Sequence, residues 1–65
     1  MSHDEAALSA ARALIAQYGE DAATIAVMRA AEYAALGDTS GLAAWDAVTD
    51  AIEALQSGPG PAGAN

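Results

Sequence analysis

This chain of 65 residues carries nine acidic residues against two arginines and no lysine, so its formal net charge at neutral pH is −7. Such a surface repels phosphate groups, which argues against direct nucleic-acid binding through a basic patch and against binding to anionic membranes. The chain has no cysteine, so neither a disulfide nor a thiolate metal site can stabilise its fold.

Two further features of the sequence bear on where the protein works. No apolar run approaches the roughly 18 residues that a membrane-spanning helix needs. The first residues also lack the basic stretch and the apolar core of a signal peptide. We therefore expect a cytoplasmic protein that folds as one domain and has no membrane partner.

The first predicted helix runs from about residue 3 to Tyr18. Ser2 and Glu5 fit an S-x-x-E capping box, in which each side chain accepts a hydrogen bond from the other residue's amide. Large apolar residues and one alanine recur at helical spacing and are expected to form the inner seam: Leu8, Ala11, Leu14, Ile15 and Tyr18. Gly19 is expected to end this helix.

The second predicted helix covers residues 22–36, with Asp21 as its N-cap. It is apolar over a wide arc, as expected for the middle one of three helices. Four residues share one face, with Ile25 and Val27 beside them: Thr24, Met28, Ala31 and Ala35. Arg29 can pair with Glu32 or lie over the ring of Tyr33, although two solvated side chains are the simpler interpretation.

The third predicted helix, at about residues 40–56, has the clearest amphipathic pattern. Its apolar seam consists of Trp45, Val48, Ile52 and Leu55, and Ala44 and Ala51 extend it. The opposite side carries a row of acidic residues: Asp46, Asp50 and Glu53. This spacing of three and four residues is typical of a helix with one buried and one solvated face.

The connection into the third helix contains several residues that end or begin helices. Gly37 is expected to take the left-handed conformation that ends the second helix. Asp38, Thr39 and Ser40 are all candidate N-caps for the next one. Gly41, in the first turn, costs roughly 0.5–1 kcal/mol relative to alanine, so we expect another backbone to pass close to it.

After Gln56 the composition changes. Residues 57–65 contain two prolines and three glycines without a large apolar side chain, which predicts a flexible tail. The short connections at residues 19–21 and 37–40 make neighbouring helices antiparallel or sharply angled. The sequence therefore predicts an all-α fold, a compact three-helix bundle over residues 1–56 with a flexible Gly/Pro C-terminal tail.

Catalysis is not expected. The single histidine, His3, lies beside the N-terminus, whereas a general base needs a positioned partner in a pocket. The row of Asp46, Asp50 and Glu53 offers oxygen ligands, but a straight row on a helix lacks the converging geometry of a magnesium or calcium site. We therefore predict a non-enzymatic protein without a cofactor or a bound metal.

Two resemblances go beyond the spacing arguments. A series of short pieces is spread over positions 6–56: Ala13-Leu14-Ile15, Tyr18-Gly19, Ala22-Ala23, Arg29-Ala30, Gly37-Asp38, Gly41, Trp45, Val48, Ala51-Ile52 and Leu55. In the order of these pieces the chain resembles a group of small alphaproteobacterial proteins, which has no assigned activity and whose members usually carry more Lys and Arg. The resemblance implies a bacterial protein with a three-helix fold. The corner between the second and third helices resembles a single tetratricopeptide hairpin through Ala31, Tyr33, Gly37, Asp38 and Trp45.

Two functions fit these features. The first is an acidic protein-interaction module or small accessory subunit, with a protein partner or self-association covering its apolar faces. The residues expected to contact the partner are Met28, Tyr33, Trp45, Asp46, Asp50 and Glu53. The alternative is an acidic decoy that imitates nucleic acid and blocks a DNA-binding protein, as some anti-CRISPR proteins do. It would use the acidic row together with Asp4, Glu5, Glu20, Asp21 and Asp38.

Overall fold

The computed structural model describes the backbone of residues 2–57 and the side chains of residues 5–57. Within this range the chain forms α1 (Ser2–Tyr18), a 3-10 turn (Gly19–Asp21), α2 (Ala22–Leu36) and α3 (Thr39–Ser57). The predicted all-α fold is therefore confirmed. Because α1, the turn and α2 follow one another directly, the described chain has two uninterrupted helical stretches, where the sequence predicted three separate helices.

The observed helix ends lie within one residue of those expected from the sequence. Ser57, expected to be the first residue of the tail, is instead the last residue of α3. The rest of the expected tail, residues 58–65, lies outside the described residues. So does the Ser2 side chain, and with it the expected capping box.

The turn between α2 and α3 is closed by backbone hydrogen bonds around Gly37. This glycine has a φ of 75°, in the left-handed region that glycine adopts without steric cost. Its amide donates to the carbonyl of Ala34 at 3.1 Å, and the amide of Asp38 donates to the carbonyl of Tyr33 at 2.9 Å. These two bonds form a Schellman motif, which satisfies carbonyls that the end of α2 would otherwise leave unpaired.

Asp38 is the residue that caps α3, out of the three candidates that the sequence offers. Its Oδ1 accepts a hydrogen bond from the amide of Gly41 at 2.9 Å, the bond that an N-cap side chain makes to the third residue of a helix. The expectation for α2 is wrong in this respect. Asp21 does occupy the N-cap position of that helix, but its side chain makes no capping hydrogen bond.

Alanine dominates the hydrophobic core. The core cluster contains Ala7 and Ala11 of α1, Ala22 and Ala26 of α2, and Val48 and Ile52 of α3. Ile52 is the one large side chain among the described residues that is fully buried. Leu14, Ile15 and Trp45 pack against this cluster and are partly buried. Small side chains at the centre allow the helix backbones to approach closely, but they bury little apolar area.

The buried face of α2 is not the one that the larger apolar residues mark out. Its buried residues are Ala22, Ala26 and Ala30, which are spaced four apart and so lie on one side of the helix. The face that carries Thr24, Met28, Ala31 and Ala35 is exposed to solvent. The bulkier residues of α2 therefore remain on the surface of the molecule.

Contacts at the two ends of α3 define the direction of each helix. The Nε2 of Gln56 donates to the carbonyl of Gly19 at 2.9 Å, so the end of α3 lies beside the end of α1 and the start of α2. Near the start of α3, Ala44 and Val48 lie beside Ala6 of α1. Accordingly, α1 and α3 run in the same direction, and α2 runs antiparallel to both.

Candidate functional site

Met28 lies on the outward side of α2 and is 54% exposed. Its neighbour Val27 is 52% exposed. Both side chains belong to types that usually lie inside a protein, and in this molecule they are available to a partner. Of the six residues expected to contact a partner, Met28 is the apolar one that the structure exposes most fully.

Tyr33 does not share this surface with Met28. Its ring is partly buried and lies over Gly41 at the start of α3. This contact also corrects the expectation for Gly41, since the group that approaches this glycine is a side chain and not a backbone. The nearby Arg29 pairs with Glu32, with Nη1 and Oε1 3.4 Å apart. Both of these side chains are more than half exposed, so the ion pair contributes little to stability.

Trp45 is partly buried and contacts the core cluster along one side. Val48 and Ile52, which follow it on the expected apolar seam, are buried. The middle of that seam therefore lies in the interior of the protein, so the seam cannot serve as a docking face along its whole length. Leu55, which the sequence placed on the buried side, is 39% exposed, and the partly buried indole of Trp45 lines a groove on the surface.

The groove lies between the first half of α1 and the first half of α3 and has a volume of about 570 Å³. It is lined by seven residues, five of them alanines: Ala6, Ala7, Ala43, Ala44, Trp45, Ala47 and Val48. A second depression of about 310 Å³ shares Ala7 and Ala47 with it and adds Leu8 and Asp50. Together the two form a continuous, mostly apolar depression, which we call the α1–α3 groove.

This groove was not predicted from the sequence. Alanines indicate helix formation and close approach between helices, whereas here several of them line a surface depression. The signal that was available is the run of small residues at Ala6-Ala7 and Ala43-Ala44, each close to one large residue, Leu8 or Trp45. Small side chains that face each other across a helix pair leave space that a partner's side chains can fill.

The acidic residues of α3 are all exposed. Asp46, Asp50 and Glu53 recur at four and three residues and so form a row along one side of this helix. Among the side chains that the structure describes, no group of three acidic or histidine residues converges as a metal site. The His3 side chain lies outside the described residues.

No protein-family model, no curated protein and no solved structure matches this chain. Over the residues that the structure describes, no helix combines the length and the apolar character needed to cross a membrane.

Proposed function

We propose that this protein is a non-enzymatic protein-interaction module or small accessory subunit. The observation that carries the proposal is the uneven distribution of its large apolar side chains. Ile52 is fully buried, whereas Val27, Met28 and Leu36 are each more than half exposed. A chain that keeps alanine in its core and larger apolar groups on its surface gains stability when another protein covers those groups.

The size of the chain supports the same proposal. Domains of this length bury a smaller share of their surface than larger domains do, and they often depend on a partner, a metal or a disulfide for stability. The absence of cysteine removes the disulfide. We further propose that the helices form a three-helix bundle and that the protein acts in the cytoplasm of a bacterium, as expected from the sequence and its resemblance to small alphaproteobacterial proteins.

Affinity capture from the native host, followed by reconstitution with the purified partner, tests the proposal. The wild-type chain is expected to form a complex of defined stoichiometry, and Met28→Lys or Ala44→Arg is expected to weaken it. Thr49→Ser serves as a control, because it keeps the hydroxyl that donates to the carbonyl of Trp45 at 2.9 Å. A chain that forms no complex and does not self-associate would contradict the proposal.

The acidic row favours the decoy as the second candidate function. Asp46, Asp50 and Glu53 place three exposed carboxylates within two turns of α3, a linear array of negative charge like that along a nucleic-acid strand. Glu20 and Asp21 lie in the turn between α1 and α2, where the carbonyl of Gly19 accepts a hydrogen bond from Gln56, three residues after Glu53. The carboxylate of Asp38 caps α3.

Competition with DNA distinguishes the two functions. A decoy displaces duplex DNA from its target protein, and it loses potency when Asp46, Asp50 and Glu53 are replaced together by Asn, Asn and Gln. An interaction module leaves DNA binding by its partner unchanged, and it tolerates this triple replacement better than it tolerates Met28→Lys.

A further inference from the structure

We infer that the α1–α3 groove is the docking site for a basic amphipathic helix of another protein. This inference rests on the proposed function and deepens it, because it assigns one surface and one partner chemistry. It does not involve the exposed face of α2 around Met28. Three observations support it: the shape of the groove, the apolar character of its lining and the charge along its edge.

The shape of the groove suits the side chains of a helix. Its volume of about 570 Å³ is within the range of pockets that hold small organic groups, and the adjoining depression lengthens it toward Ala51. A helix that lies in a groove inserts apolar side chains spaced three and four residues apart. The alanines of the lining leave room for such side chains, and the indole of Trp45 offers them a broad apolar surface.

One acidic residue lines the extension of the groove, and others lie near it. Asp50 lines its extension, and Asp46 lies one helical turn before Asp50 on the same side of α3. Glu5 lies three residues before Leu8, which lines the extension, and so shares its side of α1. All three acidic residues are exposed. The basic residue of α1 that lies closest to the groove along the helix is Arg12, one turn after Leu8. The acidic side chains therefore favour a partner that carries Lys or Arg beside its apolar row.

The same charge argues against a second copy of this chain as the occupant. Each copy carries a net charge of −7, so two copies meeting at this edge bring like charges together. A basic helix brings opposite charge to the same edge and speeds the encounter at low salt. The groove and its edge thus select a partner on two independent grounds, apolar fit and charge.

The test uses the full chain and two synthetic helical peptides, both free of tryptophan. One peptide has leucine on one face and lysine on the other, and its counterpart carries glutamate in place of lysine. Trp45 is the only tryptophan in the chain, so its fluorescence reports on the groove directly. The lysine peptide is expected to shift the Trp45 emission to shorter wavelength, whereas the glutamate peptide is not.

Matched variants locate the binding site. Ala44 lines the groove and Ala31 lies on the outward face of α2, and both are exposed. Ala44→Arg is therefore expected to weaken binding of the lysine peptide about tenfold or more, while Ala31→Arg leaves it unchanged. Ala43→Arg, also in the groove, replaces Ala44→Arg if circular dichroism shows that the latter has lost helix.

A charge pair tests the edge of the groove. Asp50→Asn is expected to weaken binding more than Asp21→Asn does, because Asp21 lies in the turn between α1 and α2, away from the groove. The difference between these two variants should shrink as salt is added, since screening weakens the attraction between exposed charges.

Several results would overturn the inference. They are the absence of binding by the lysine peptide, equal binding of the two peptides, equal effects of Ala44→Arg and Ala31→Arg, and a dimer that Ala44→Arg dissociates. The behaviour of a native complex separates this inference from the proposed function. If Met28→Lys disrupts a native complex and Ala44→Arg does not, the protein is an interaction module and the groove is not its site. If no native complex forms at all, the proposal that the protein is an interaction module is wrong.

Discussion

Gly41 lies beneath the ring of Tyr33, where α3 begins. A Cβ atom at this position would lie 2.6 Å from Cγ and 2.8 Å from Cε1 of that ring, closer than carbon atoms approach one another. Helix propensity alone favours alanine over glycine by about 1 kcal/mol. The ring of Tyr33 is therefore the obstacle to alanine at this position. Its atoms cannot move aside unless the whole tyrosine side chain is displaced.

We therefore expect Gly41→Ala to lower the free energy of unfolding by about 1–3 kcal/mol, as overpacked sites do. In a Tyr33→Ala background the obstacle is gone, and the same substitution should raise stability by about 0.5–1 kcal/mol. Urea unfolding followed by circular dichroism measures all four chains of this double-mutant cycle. Equal effects of Gly41→Ala in the two backgrounds would show that the ring contact is irrelevant.

Asp38 acts on stability through a single hydrogen bond. Its Oδ1 satisfies the amide of Gly41 at 2.9 Å, an amide that has no partner within α3 itself. Asp38→Ala should lower the free energy of unfolding by about 1 kcal/mol. Asp38→Asn keeps an acceptor oxygen and should lose much less. If the two variants are equally stable in urea, Asp38 does not act as the cap.

At the scale of the helices, α2 shows how far apolar spacing can identify a buried face. Seven of its fifteen residues are alanine, so apolar side chains surround it and no charged row marks the outside. The larger Met28 and Val27 predict that one face is buried, but the helices pack through Ala22, Ala26 and Ala30 on the other. The orientation of α2 follows from the close approach of the helix backbones. That approach depends on how the three helices fit together.

The buried middle of the α3 seam was predictable for the opposite reason. The row of Asp46, Asp50 and Glu53 marks its solvated side, so Val48 and Ile52 had to face inward, and both are buried. The turn at Gly37 was equally predictable, because left-handed backbone favours glycine. The α1–α3 groove could not be predicted in this way, since its volume depends on the distance between two helices that are far apart in the sequence.

Two matched substitutions in α2 test which face is buried. Ala26 is fully buried, so Ala26→Leu forces extra atoms between packed helices and should lower the free energy of unfolding by about 1–3 kcal/mol or more. Ala31 is exposed, and Ala31→Leu should change it by less than about 0.5 kcal/mol. Urea unfolding of both variants measures the difference. The reverse order of stability would mean that α2 is rotated from the orientation described above.

Across the whole molecule, like charges oppose folding. The net charge is −7, and among the described side chains the structure gives one ion pair, the exposed pair of Arg29 and Glu32. Added salt shortens the range over which exposed charges interact, and the Debye length falls to about 8 Å at physiological ionic strength. Because like charges are in excess, this screening weakens more repulsion than attraction. We expect the midpoint of urea unfolding to rise as sodium chloride is added from low ionic strength.

A charge variant provides the control for this effect. Glu53→Gln removes one carboxylate from the acidic row, so it should raise the midpoint at low salt and reduce its dependence on salt. Urea is required as the denaturant because guanidinium chloride is itself a salt. A midpoint that falls with added salt would indicate that attractive charge pairs, and not repulsion, dominate the surface.

The thin alanine core is the feature that leaves apolar groups available for a partner. The most direct test is the free energy of unfolding of the isolated chain, measured in urea over a wide range of protein concentration. Small domains without a disulfide or a metal rarely exceed about 3–5 kcal/mol, and we expect a value at or below that range. A monomer with a much higher, concentration-independent stability would contradict the account, because such a chain would need no partner to complete it.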